Sequence, residues 1–190
     1  MSEATTSATS SQPSSARPKG GQIQVFTAAD AKPLEETGMM RMAAPPPERK
    51  PLNAVFAEAA GQATTTRVLF STPGPGGFSL VYAWLKSGFP LPRHSHDSDC
   101  VYYIIGGELT LGNKVLKGGD GFFVPADCVY AYTPGPDGVE ILEFRTSSDF
   151  DFVMRSGTLP MWEHMAAICK ANSENWKSET PPTRQSTGLG

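Results

Sequence analysis

Three histidines occur in the 190 residues of this chain, and two of them, His94 and His96, flank Ser95. On a strand, residues two apart face the same side, so this pair would bring two imidazoles to one point. Cys100 follows at even spacing and shares that parity if the strand is regular. Neutral imidazole and thiolate both bind transition metals, and a soft thiolate favours zinc, iron or copper over magnesium or calcium. A site with two or three protein ligands keeps open positions for water or substrate, which Lewis-acid or oxygen chemistry requires. Taken alone, the pair fits a solvated loop with incidental histidines equally well.

Tyrosines are the next candidates. Tyr102 has the parity of Cys100 and would face the same pocket. As an acid–base group it needs a lowered pKa, which a nearby cation supplies. Tyr130 reads as a ligand, a proton donor or an aromatic wall whose hydroxyl needs a partner when buried. Cys128, two residues before Tyr130, would join the site if strand parity holds, and two His with two Cys would suit a closed zinc tetrahedron. Asp99 reads as a loop carboxylate, His164 as a partly exposed helix residue and Cys169 as a buried filler.

These residues need a frame, and the sequence offers strands. Candidate strands run over 65–71, 78–86, 101–111, 114–116, 122–124, 128–133 and 139–145, with a short one at 22–27. Turns fall at 72–77, 118–120 and 134–138, and Gly106-Gly107 marks a bend or bulge. Nineteen Gly and seventeen Pro are more than a helical bundle tolerates, and the spacing points to an all-β sandwich or jelly-roll barrel. Trp84, Phe122, Phe123, Tyr132 and Phe144 are candidates for its lining. From Pro160 to about Asn172, Met161, Met165 and Ile168 recur at helical spacing, which predicts an amphipathic helix laid on the barrel.

The organisation that follows is a low-complexity, largely disordered arm over 1–50, a barrel over 51–157, a C-terminal helix over 158–178 and a tail over 179–190. Pro45, Pro46, Pro47 and Pro51 suggest a polyproline spacer within it. Net charge is -3 with no basic stripe, which argues against a nucleic-acid partner. There is no apolar run of membrane-spanning length and no secretory leader, so the expected location is cytoplasmic and no membrane partner is expected. Three cysteines do not make a disulfide framework.

One longer pattern ties the candidates together. Gly88, five residues, His94, one residue, His96, three residues, Cys100, six residues and Gly107 reproduce the spacing of one motif; Gly119, five residues, Pro125, one residue, Asp127, two residues and Tyr130 reproduce a second. Over residues 65–147 the chain resembles the cupin superfamily in both motifs, in order. The resemblance implies a cupin-type jelly-roll β-barrel with a metal pocket, in which the first motif supplies two His and a Glu and the second a third His. His94 and His96 match. Cys100 stands at the Glu position, Tyr130 at the third His, Asp127 at the second motif's Gly and Pro134 at its Asn. A Cys at the Glu position is similar to the thiol dioxygenase branch, where it lies beside a tyrosine with which it can crosslink; Cys100 with Tyr130 or Tyr102 would be the pair here.

Three readings of the altered shell stay open: one transition metal ion (iron, zinc or copper) on His94, His96 and Cys100; a zinc site that adds Cys128; or a barrel that encloses an organic ligand without metal. The first implies a metal-dependent enzyme acting on a small organic molecule as dioxygenase, isomerase or lyase, with Tyr130 or Tyr102 orienting substrate or moving a proton. The alternative is a non-catalytic binding or sensor barrel. The resemblance also implies a homodimer, with residues 53–71 as the contact region.

Overall fold

The computed structural model describes residues 21–44, 50–155 and 157–183. The low-complexity stretch 1–20, Pro45 to Pro47 and the end of the tail from 184 lie outside the described residues.

The fold is a β-sandwich curled into a jelly roll. Its larger sheet holds β1 (Lys32–Pro33), β3 (Thr64–Thr72), β4 (Phe78–Leu85), β9 (Thr133–Arg145), β6 (Cys100–Leu111) and β7 (Lys114–Lys117) in that spatial order, with β8 (Gly121–Val124) also pairing β6. The smaller sheet sets β10 (Phe150–Met154) between β2 (Met40–Met42) and β5 (His94–Ser95). All pairings are antiparallel except β2 with β10.

Alternation along β6 shows how the frame is set. Cys100, Tyr102 and Ile104 are buried while Val101 and Tyr103 are exposed, so one face of the strand lines the interior. The ladder to β9 shifts register around Gly106 and Gly107, the bulge expected there. Gly107 has φ 71°, and a Cβ on it would meet the Gly138 carbonyl oxygen at 2.2 Å, so only glycine fits. β4 is buried on both faces. Ala83 and Leu85 join the main core, whereas Tyr82 and Trp84 pack outside it with Ala31, Leu69, Ile105 and Leu142. Trp84 is therefore not a lining residue.

Two helices close one end. α2 (Lys50–Ala63) packs against α3 (Leu159–Trp176), with Phe56 edge-on to Trp162 at 5.6 Å and stacked on Phe89 at 5.6 Å. The C-terminal helix forms as the sequence predicts, but its buried face is Trp162, Met165, Cys169 and Trp176, with Met161 and Ile168 on the flank. The larger indole rings take the core position. α2 was not expected; its alanines carry no strong periodicity, and it forms where tertiary packing offers an apolar surface.

Several expectations for the segments are corrected. Residues 22–27 make no strand. The arm is ordered over 28–42, where β1 pairs β3 and β2 pairs β10 through short elements that include α1 (Leu34–Thr37). Pro134 to Gly138 is part of β9 rather than a turn, and of the strand expected over 128–133 residues 128–132 contribute a single bridge, Tyr130 with His94, before β9 begins at Thr133. Among the described residues no helix is long and apolar enough to cross a membrane.

Candidate functional site

The two sheets face each other across a cavity of about 1020 Å³. β5, the residue that follows it and β10 supply one wall, with His94, His96, Phe150 and Phe152; β6 and β9 supply the other, with Tyr102, Glu143 and Arg145. Tyr130 and Tyr132 come from the loop before β9. Most of the remaining lining is apolar, including Leu85, Phe89, Leu91 and Met154. A cavity of this kind, with a few convergent polar groups, suits a small organic molecule.

The histidines are brought together as expected, with ring centroids 5.1 Å apart and both rings buried. Each is fixed by a backbone carbonyl. His94 Nδ1–H donates to the Pro92 carbonyl at 2.7 Å and His96 Nδ1–H to that of Asp151. A carbonyl only accepts, so each neutral ring keeps Nε2 as its lone-pair nitrogen. His94 also stacks on Phe152 at 4.6 Å and 11°. Burial pulls the pKa of His94 down to about 4 against the support of the Pro92 carbonyl; burial and then the nearby Arg145 charge pull His96 down to about 3. Both rings are neutral at pH 7.

Arg145 sits at the centre of the polar groups and is 2% exposed. Its Nη2 donates to Glu143 Oε2 at 2.6 Å and to the Tyr102 hydroxyl at 3.0 Å, and lies 3.4 Å from His96 Nε2. The Phe150 ring covers the guanidinium at 4.3 Å. Tyr102 and Tyr130 share a hydroxyl–hydroxyl hydrogen bond. Burial, then the Glu143 charge, pushes both phenol pKa values up, so both keep their protons and act as donors. The Arg145 charge beside Tyr102 works against that rise without reversing it.

Cys100 is inward and buried, but its Sγ is turned to the Val101 carbonyl at 3.7 Å, and burial followed by the Glu143 charge lifts the thiol to about 12. It stays protonated and is absent from the cavity lining. Among the described residues no three or more His, Cys, Asp or Glu side chains are placed to hold a metal ion. The tautomers of His94 and His96 suit ligation. The rest of the donor set does not: the Cys100 thiol is turned to a backbone carbonyl, the two phenols bond each other, and a guanidinium lies 3.4 Å from His96 Nε2. The shell of His94, His96 and Cys100 is thus not assembled in this geometry.

Other candidates separate from the site. Cys128 is exposed because the turn after Pro125 breaks strand parity; Asp127 in that turn has φ 62° where the motif carries Gly. Asp99 accepts from the Ala126 amide at 2.8 Å and so ties that turn to β6. His164 is exposed on α3, and Cys169 is fully buried there. Phe123 and Phe144 lie away from the cavity, while Tyr132 lines it and Phe122 stacks on Tyr102 at 4.6 Å.

Arg145 and Glu143 escaped the sequence reading. The signal is two opposite charges, two apart, at the end of a strand that otherwise holds Val139, Ile141, Leu142 and Phe144 with one further carboxylate, Glu140. A charge on the inward parity of such a strand has to be paired or functional.

The jelly-roll topology, with the two motifs placed on its strands, is a cupin-type fold. No family model and no curated protein matches it. Among solved structures it is similar to KdgF from Halomonas sp., at 21% identity over 44% of this chain and 79% of that one with a TM-score of 0.38. It is similar to the polyketide cyclase RemF from Streptomyces resistomycificus at 21% identity, over 54% and 78% of the two chains, TM-score 0.45. A protein of unknown function with a cupin-like fold from Ralstonia eutropha matches at 14% identity over 81% and 90%, TM-score 0.47.

Proposed function

We propose that this chain is a cupin enzyme that moves a proton on a small, largely apolar organic molecule, in the manner of an isomerase or lyase. The observation that carries this reading is the convergence of a fixed imidazole lone pair and a phenol proton on one apolar cavity: the His94 and Tyr130 rings lie 4.3 Å apart. His94 Nε2 takes the proton. Tyr130 donates to the substrate oxygen on which the electron pair collects. Tyr102, accepting from Arg145, donates to Tyr130 and leaves its proton directed to the cavity. In sequence the bond to hydrogen breaks, its electron pair moves toward the oxygen, and the proton held on His94 returns to another atom of the substrate. No oxidant is consumed. Apolar walls exclude water, which strengthens each of these interactions.

The test is solvent exchange. A panel of small apolar compounds with a C–H next to a carbonyl is first screened for thermal stabilisation of the protein. Those that bind are incubated in D2O and followed by proton NMR. Wild type is expected to exchange at least one of them, with His94→Gln and Tyr130→Phe slower by about 100-fold, the usual range for losing one acid–base group. Binders that never exchange would leave a binding barrel and reject the enzyme.

A further inference from the structure

We propose that the ligand of this site is an uncharged carbonyl compound, and that Arg145, not a metal ion, is the cation that polarises its oxygen. The inference deepens the reading above and rests on the cavity being the ligand site.

Charge balance carries the argument. Around the polar end of the cavity, Arg145 contributes one positive charge and Glu143 one negative charge, joined at 2.6 Å. The side chains of Arg145 and Glu143 are 2% and 14% exposed, so solvent does little to screen the pair. The other polar groups at this end have uncharged partners: His94 and His96 each give Nδ1–H to a backbone carbonyl, and the Tyr102 and Tyr130 hydroxyls bond each other. The end is therefore balanced before any ligand arrives, and the two other charged residues that line the cavity, Glu35 and Arg67, are likewise opposite in sign. A carboxylate ligand would face the Glu143 carboxylate in a poorly screened space, and like charges there are costly. A ligand cation, or a metal ion on His96 Nε2, would meet the guanidinium held 3.4 Å from that nitrogen. An uncharged acceptor oxygen meets neither penalty.

The donors match such an oxygen. Arg145 Nη2 feeds the Tyr102 hydroxyl at 3.0 Å, and Tyr102 is bonded to Tyr130. Arg145 Nε and Nη1 are buried and find no acceptor in the protein, although the residue lines the cavity. A buried donor without a partner is unusual in native proteins and is commonly met by a ligand or an ordered water. Phe150 covers one face of the guanidinium and holds its plane. A carbonyl oxygen taken by this chain gains most when it becomes an oxyanion, because the charged donor behind Tyr102 then has an opposite charge to act on.

Three probes of one bicyclic body decide the matter by calorimetry: uncharged 2-tetralone, 2-naphthoate and hydrocarbon naphthalene. Wild-type protein is expected to bind 2-tetralone at least 10-fold more tightly than either of the others. Glu143→Gln, which leaves the site with an excess positive charge, should reverse the order of 2-tetralone and 2-naphthoate; Arg145→Lys, which keeps the charge and loses the fork, should weaken 2-tetralone alone. If 2-naphthoate binds wild type as tightly as 2-tetralone, the site recruits an anion and the inference is wrong, while the cavity remains the ligand site. If 2-tetralone binds only after one equivalent of zinc or iron(II) has been taken up, the cation is the metal and the inference is equally wrong. If none of the three binds, the cavity is not the ligand site and both readings fall.

Discussion

Cys100 and Arg145 face each other directly across the ladder of β6 and β9. The position at which the first cupin motif carries a carboxylate thus holds an uncharged thiol, and the strand opposite supplies a guanidinium. That guanidinium finds its carboxylate two residues away on its own strand, in Glu143. The negative charge of this site thus stands on β9, with a cation beside His96.

Arg145 and Glu143 are expected to behave as a buried pair. Removing one partner leaves the other unpaired where solvent does not reach, which typically costs about 3–5 kcal/mol. Arg145→Met should therefore destabilise the fold by that order in urea unfolding, and Arg145→Met with Glu143→Gln by clearly less, because no uncompensated charge remains. Equal losses in the single and the double variant would mean that the guanidinium acts through packing against Phe150 rather than through its charge.

The three thiols should separate by reactivity. Cys128 is exposed, whereas Cys100 and Cys169 are buried, with burial lifting their pKa values to about 12 and about 11. The thiolate is the reacting species, so a disulfide reagent at pH 8 should modify one thiol per folded chain quickly and the other two only on unfolding. Fast labelling of Cys100 in the Cys128→Ser variant would contradict its placement and reopen its role as a ligand.

Stability should fall as pH drops from 6.5. In the folded protein His94 and His96 resist protonation down to about 4 and about 3, whereas in the unfolded chain both take up protons near 6.5. Between these values the unfolded state binds more protons, and linkage then requires stability to decrease with falling pH. The loss begins near 6.5 and levels off only as the folded rings themselves titrate. Urea midpoints at pH 7.5, 6 and 5 would show it, and replacing both histidines by Gln should flatten the slope over that window. An unchanged slope would show that the rings titrate normally in the fold.

Much of the frame was readable because it rests on local signals. The β-branched and aromatic runs of β3, β4 and β6 and the bulge at Gly106 and Gly107 declare themselves in the sequence, and the two motif spacings place His94, His96 and Tyr130 on one cavity. What failed depended on distant partners. Cys128 would face inward only if strand parity ran through the turn after Pro125, and Asp127 breaks that parity. Cys100 has the inward parity expected of it, yet parity does not show that its thiol points to Val101. Arg145 had to be found by asking which strand stands opposite Cys100, and strand order is a property of the whole fold. Residues 179–183 belonged to an expected tail but are tied down, by Glu179 on Ser87 and Thr183 on Glu140.

That last attachment carries its own prediction. Glu140 is fully buried on β9, and its carboxylate accepts from the Tyr82 hydroxyl at 2.7 Å, the Thr183 amide at 2.6 Å and the Thr183 hydroxyl at 2.9 Å. Thr183 and Pro182 also pack over Gly106 and Gly107, where the absence of side chains makes room for them. Removing residues 181–190 deletes two of the three donors and uncovers the bulge, so a carboxylate satisfied in the intact fold is left short of partners. Leaving such a group unsatisfied costs about 1–3 kcal/mol, and more where it is charged. The truncated chain should melt several degrees lower, and Glu140→Gln should cost less in the truncated chain than in the full one, because the amide has less to lose once the donors are gone. If truncation leaves the melting temperature unchanged, water replaces Thr183 without penalty and the C-terminal segment is not part of what holds β9 in place.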